Sequence, residues 1–345
     1  MPDNLSPPLQ YQIFDPERQE IRVVVIHPPK RRYWLHALLF LATIFTTLCI
    51  GARLQYNFDH NLAMFASDTD FWPWLWVFQD WHVLRLGIPF SACLLGILTA
   101  HELGHYVLCV RRKVYATLPF FIPAPTLVGT MGAFIRIQSP IRSRSDLFDI
   151  GIAGPIAGFV VAVPVLFFAL LESKPLTADT KGIVLGLPWI FKLAHWILAA
   201  AGSHLAKNFA VENLCLHPTA FAAWFGMFAT ALNLLPGGQL DGGHIIFALR
   251  PRWHRIISMI TVFILLPLSL FLWSGWLLWA IVLRLTGRRH PDVPLSPGLN
   301  RKRWLLAAFA LLMLVLTITP SPFPGEKKGE GTGFFQLLDQ WRKDR

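Results

Sequence analysis

The chain has 345 residues, 54% of them hydrophobic and 15% charged, with a mean hydropathy of +0.47. Soluble domains carry about 25% charged residues, so the composition excludes an ordinary water-soluble domain and fits a membrane protein. The net charge of +11 does not indicate a nucleic-acid partner, because basic residues gather at the ends of apolar segments: Lys30-Arg31-Arg32, Arg111-Arg112-Lys113, Arg288-Arg289 and Arg301-Lys302-Arg303.

Residues 1–33 read as a polar, Pro-containing cytoplasmic tail, with Ile21–Ile26 able to form a short strand. Residues 34–52 form the first predicted span, a signal-anchor whose leading basic run keeps its N-terminus in the cytoplasm. Residues 53–80 then lie outside, with Asp59, Asp68, Asp70 and Asp80 against Arg53 alone, and Phe71–Trp76 as an interfacial aromatic anchor. The span at 84–110 returns inward and ends on Arg111-Arg112-Lys113.

This second span contains His101-Glu102-Leu103-Gly104-His105. Residues four apart share a helix face, so His101 and His105 can reach one zinc ion, and Glu102 is placed to take a proton from the attacking water. The bland alternative is two surface histidines and a surface glutamate. The apolar setting weighs against it, because ionisable groups inside a bilayer segment are costly without a use.

Residues 114–147 contain Pro119, Pro123 and Pro125, then a glycine-containing, alternating stretch at 129–138. This predicts a re-entrant segment with a short β-hairpin, which must be buried or line a wet cavity where substrate is met. A third span at 149–171 opens with Gly154 and Gly158, a G-x-x-x-G face for close helix packing. Residues 183–201 read as an amphipathic or re-entrant element on the outer side, because a full crossing there would break the parity of the spans.

A fourth span at 218–236 runs inward and closes with the stretch Asn233 to His244, which includes Pro236, Gly237, Gly238, Asp241 and Gly242. Two histidines leave a catalytic zinc one protein ligand short, and Asp241 can supply it once the Pro and Gly residues turn the backbone toward the membrane-embedded site. The competing reading has Asp241 capping the next helix. Residues 256–285 are long enough for one tilted helix or two short ones, and their basic flanks favour a hairpin turning near Ser274-Gly275. A last span at 304–319 precedes a flexible tail, 321–345. Cys49, Cys93, Cys109 and Cys215 form no C-x-x-C pair and imply neither a disulfide framework nor a metal site.

Three pieces, His101 to His105, Gly154-Pro155, and Asn233 to Pro236 leading to Asp241-Gly242, resemble the site-2 protease family of intramembrane zinc metalloproteases, of M50 type. The wording from Leu232 to Gly243 is most similar to the bacterial and chloroplast branch related to the plant EGY-type proteases. The resemblance implies one Zn2+ per chain on His101, His105 and Asp241, Glu102 as the catalytic glutamate, and Asn233 as a residue that positions substrate or stabilises charge near the metal. It also implies membrane-anchored regulatory proteins as substrates, cut in or near their transmembrane segments. The chain departs from better-known members in having no room for a PDZ domain in its outer loop and no C-terminal CBS pair.

The expected architecture is therefore an all-α polytopic membrane protein of about six to seven transmembrane helices with a small re-entrant β-hairpin near the site. Its membrane-embedded metalloprotease domain covers 34–320, with a core at 84–250. The expected location is a bacterial inner membrane, with the site near the cytoplasmic face. The lipid bilayer is the surrounding partner. An ion- or metal-coupled transporter and a non-cleaving protease-like scaffold are the alternatives; the first predicts paired repeats, the second loss of Glu102 or a ligand. His244 can compete as a ligand or as a partner behind one, whereas His82, His195, His204, His217 and the remaining histidines read as interfacial or loop residues.

Overall fold

The computed structural model describes residues 9–15, 20–26, 32–65, 70, 72–177, 185–286, 293 and 298–324. Lys30-Arg31, Asp68, Phe71, Arg288-Arg289 and all but the first four residues of the C-terminal tail lie outside these. Strands β1 (Leu9–Asp15) and β2 (Glu20–Ile26) pair antiparallel, and β2 includes the strand read at Ile21–Ile26.

Helix α1 (Tyr33–Asp59) has 27 residues, a length of about 40 Å at 1.5 Å per residue. Its threonine hydroxyls are satisfied locally, as apolar surroundings require. Thr43 donates to the Leu39 carbonyl and Thr47 to that of Thr43, and Thr47 Oγ1 meets Ser91 Oγ at 2.7 Å, pinning α1 to the helix that follows. After α2 (Trp74–Gln79), a tight turn at Trp81–Gly87 leads into α3 (Ile88–Arg111), with Pro89 in its first turn. Asp70 is buried against Arg53 (Nε to Oδ1, 2.6 Å) and Asn57 (3.0 Å), so it neutralises Arg53 rather than facing solvent.

The expected hairpin is present as β3 (Phe120–Pro123) and β4 (Thr130–Phe134), with Phe120 opposite Phe134 and a further bridge between Ala116 and Ile137. It is tied to α1 by the Thr46 hydroxyl, which donates to the Gly129 carbonyl at 2.6 Å. Helix α4 (Arg144–Leu171) begins under a Ser143 cap that accepts from the Asp146 N–H.

The connection that follows α4 contains β5 (Lys174–Pro175), α5 (Trp189–Ala200), α6 (His204–Asn208) and β6 (Leu214–Cys215), with β5 and β6 paired. At 12 residues α5 is about 18 Å long, too short to cross a bilayer core of about 30 Å. It buries Ile190, Phe191 and Ala194 and exposes Trp189 and Trp196, an amphipathic arrangement.

Helix α7 (Pro218–Asn233) is apolar all round and is the most enclosed helix. Its Ala223, Trp224 and Met227 pack with Leu94 and Ile97 of α3 and Leu166 of α4 in the main core. Helices α8 (Asp241–Leu249), α9 (Pro251–Phe271), α10 (Gly275–Thr286) and α11 (Arg301–Thr317) complete the bundle. The 256–285 stretch is thus two helices broken at residues 272–274, as its basic flanks favoured.

Among the described residues, four stretches are long and apolar enough to cross a membrane: Tyr33–Asp59, Trp81–Arg111, Arg144–Leu171 and Pro251–Phe271. With 16 and 17 residues, α7 and α11 are slightly shorter than a full crossing. The outward faces of α1, α9 and α11 present Leu38, Leu41, Phe263, Ile264, Leu305 and Leu311. Such apolar surface suits contact with lipid rather than water. The protein is a mostly helical, polytopic membrane protein.

Candidate metal centre

Helix α3 turns His101, Glu102 and His105 inward, leaving each less than 10% exposed. Close packing of α4 against α3 makes room for them. A Cβ placed on Gly154 would fall on the His105 ring, and one on Gly158 would come within 3.2 Å of His101 Cβ. The small residues read as a packing face therefore serve a specific purpose: they let α4 pass directly behind two imidazoles.

His105 has one defined tautomer, because its Nδ1–H donates to the Ile150 carbonyl at 2.7 Å. Its Nε2 lone pair then points into the site, which is how metal-binding histidines are commonly oriented. The neighbouring Asp149 accepts two bonds from Arg303 of α11, both at 2.8 Å, and one from Arg112 at the end of α3. This charged knot holds the ends of α3, α4 and α11 around the Ile150 carbonyl.

Asp241 arrives from the other side. Helix α7 stops at Asn233, and residues 234–240 fold back so that α8 starts at Asp241. The turn is closed so tightly that a Cβ on Gly242 would overlap the Leu234 carbonyl oxygen. Three residues of α9 anchor it. His254 Nε2 donates to the Gly238 carbonyl at 3.0 Å, Ser258 Oγ accepts from the Gly238 N–H at 3.3 Å, and Thr261 donates to the Pro236 carbonyl at 3.0 Å. Asp241 stands in the first turn of α8, yet its carboxylate points at the histidines.

Asp241 Oδ2 lies 3.2 Å from both His101 Nε2 and His105 Nε2, and the two nitrogens are 3.2 Å apart. The three donors form an equilateral triangle. A tetrahedral zinc with bonds of about 2.0–2.1 Å spaces its ligands about 3.3 Å apart, so the triangle matches one tetrahedral face with the fourth vertex left for another ligand. Among the described residues this is the group of three His, Cys, Asp or Glu donors that converges within metal-binding range, and His244 does not belong to it. Asn233 Nδ2 lies 3.4 Å from His101 Nε2, at the edge of the triangle. Glu102 is outside it, and its carboxyl group lies near the Ile135 backbone just beyond β4.

The sequence reading missed His254, which it grouped with interfacial and loop histidines. His254 is buried. The available signal was the spacing of His254, Ser258 and Thr261, a polar stripe on one face of an otherwise apolar helix. The Ile150 and Ile135 backbone groups carried no signal, since any residue has them.

A membrane-embedded helical bundle with a buried His-His-Asp triangle and a carboxylate beside it defines a class, the intramembrane metallopeptidases. The model for peptidase family M50 matches residues 89–271, and the chain belongs to that family. Among curated proteins it is similar to two from Arabidopsis thaliana, the probable zinc metalloproteases EGY1 and EGY2, both chloroplastic. EGY1 is 29% identical over 302 residues, 84% of this chain and 53% of that protein. EGY2 is 29% identical over 273 residues, 77% of this chain and 47% of that protein. A chloroplastic EGY2 from Oryza sativa subsp. indica is 28% identical over 257 residues, 72% of this chain and 45% of that protein. The chain spans about half the length of these relatives. No solved structure matches it.

Proposed function

We propose that the chain is an intramembrane zinc metalloendopeptidase, with its functional core within residues 84–250 of a membrane domain at 34–320, that cleaves membrane-anchored regulatory proteins in or near their transmembrane segments. The donor triangle of His101, His105 and Asp241 carries this reading, with 3.2 Å edges that suit one zinc ion. When bound, zinc supplies Lewis acidity, which acidifies water and polarises a carbonyl. The chain's own residues do the rest. Glu102 accepts the proton of the attacking water on its carboxylate and returns it to the leaving amine. His105 is held in its productive tautomer by the Ile150 carbonyl. Asn233 is at hydrogen-bonding distance from the site and is assigned to the substrate carbonyl.

A helical substrate must unwind before its carbonyls can be reached. Glu102 lies near the backbone directly after β4, so a strand formed by the unwound segment along this hairpin would pass beside the base. Chelation with 1,10-phenanthroline should stop cleavage of a membrane-anchored substrate, and added zinc should restore it. Cleavage that survives complete metal removal would exclude this function.

The reading places the metal centre near the cytoplasmic face. Arg32, Arg111, Arg112 and Lys113 stand at the end of the bundle where α1 begins and α3 finishes, in support of that orientation. A bacterial cytoplasmic membrane is the proposed setting; the relatives above are chloroplastic. In a background with Cys49, Cys93, Cys109 and Cys215 replaced by alanine, an impermeant maleimide added outside should label Gln79→Cys and not Arg111→Cys. The opposite pattern would invert the orientation.

A further inference from the structure

The bundle contains a second concave feature that the metal centre does not use. A cleft of about 290 Å³ opens where the first turn of α1 meets the end of α3 and the arm leading to β3. Its walls include Arg32, Tyr33, His36, Tyr106, Tyr115 and Arg136. Among the described residues, no aspartate or glutamate lines it, and no carboxylate is within ion-pair reach of either arginine.

The backbone around the cleft is tied down by hydrogen bonds. Arg136 is locked to Thr117 through two 3.0 Å bonds, one from each backbone N–H, and His36 Nδ1 donates to the Pro119 carbonyl at 3.1 Å. Two guanidinium groups with no acidic partner suit a phosphate-bearing anion. The volume is close to the lower end of small-molecule pockets, roughly 300–1,000 Å³, and accommodates a headgroup rather than a large ligand.

The surroundings point to a lipid. Arg32, Tyr33 and Trp34 stand together at the start of a membrane-length helix, the depth where aromatic and basic residues meet headgroups. Leu38 on α1 and Val107 and Val110 on α3 are exposed, forming apolar walls along which acyl chains can lie. We propose that this cleft binds the phosphate headgroup of an anionic phospholipid, with Arg32 and Arg136 on the phosphate and the acyl chains along the exposed faces of α1 and α3.

The test uses the full chain purified in detergent, incubated with phosphatidylglycerol or phosphatidylcholine, with retained lipid read by native mass spectrometry. The wild type should retain phosphatidylglycerol in preference to phosphatidylcholine. Arg32→Gln and Arg136→Gln should each reduce that retention roughly fivefold, and the double variant roughly 25-fold. Arg136→Lys should keep most of it, which distinguishes lost charge from misfolding. Arg85→Gln, a charge removed at the opposite end of the bundle, should change nothing. Equal retention of the two lipids, or an equal loss in Arg85→Gln, would overturn the proposal. Displacement of phosphatidylglycerol by millimolar inorganic phosphate would also overturn it, in favour of a free-phosphate site.

Discussion

Glu102→Gln should keep its zinc and lose cleavage by at least the roughly 10²–10⁴-fold that general acid–base catalysis supplies. The amide preserves the size of the side chain but cannot accept the proton of the attacking water. Zinc should stay, because Glu102 stands outside the triangle of donor atoms. Asp241→Ala is the informative contrast. It removes one of three donors, so zinc itself should be lost along with activity. Zinc content measured beside fragment patterns in membrane proteomes of wild type and Glu102→Gln separates the two roles. Wild-type cleavage by Glu102→Gln would sink the peptidase mechanism, and loss of zinc from it would make Glu102 a ligand.

Gly154→Ala should be nearly as damaging, although residue 154 touches no substrate. The added methyl would occupy the position of the His105 ring. That ring cannot swing aside without breaking its 2.7 Å bond to the Ile150 carbonyl, and α3 is held by its packing on α4. A ligand displaced by about an ångström is expected to cost on the order of 10²-fold in rate. Gly158→Ala should cost less, because its new contact with His101 Cβ is a close 3.2 Å rather than an overlap. Gly96→Ala on α3, the neighbouring helix, meets nothing within 4 Å and serves as the control. Zinc content and cleavage should therefore fall in the order Gly96→Ala, Gly158→Ala, Gly154→Ala. A fully zinc-loaded, active Gly154→Ala would show that the helices can separate at no cost.

The helical membrane architecture was legible because apolar runs of membrane length can be read locally. The His101 and His105 pair was legible for a related reason: residues four apart share a helix face in any helix, whatever the fold. The hairpin at 114–138 was readable from its prolines and alternation, and the break at 272–274 from basic charge on both flanks. The pairing of Asp70 with Arg53 was not legible, because it depends on how the loop folds back onto α1.

By itself, then, the sequence determined the apolar helical character, the His101 and His105 pair with its adjacent glutamate, and the kinship carried by the motif around Asp241. It offered two roles for that aspartate, helix cap or metal ligand, and local pattern does not separate them. The tertiary structure brings the Asp241 carboxylate to 3.2 Å from nitrogens 140 and 136 residues earlier in the chain. Three other features also existed only in the assembled bundle: the glycines of α4 behind the imidazoles, the Ile150 carbonyl that sets the His105 tautomer, and the α9 stripe that holds the turn. Each depends on backbone groups or on the distance between helices remote in sequence. Such distances are decided by how whole helix faces pack, and a linear pattern does not encode them residue by residue.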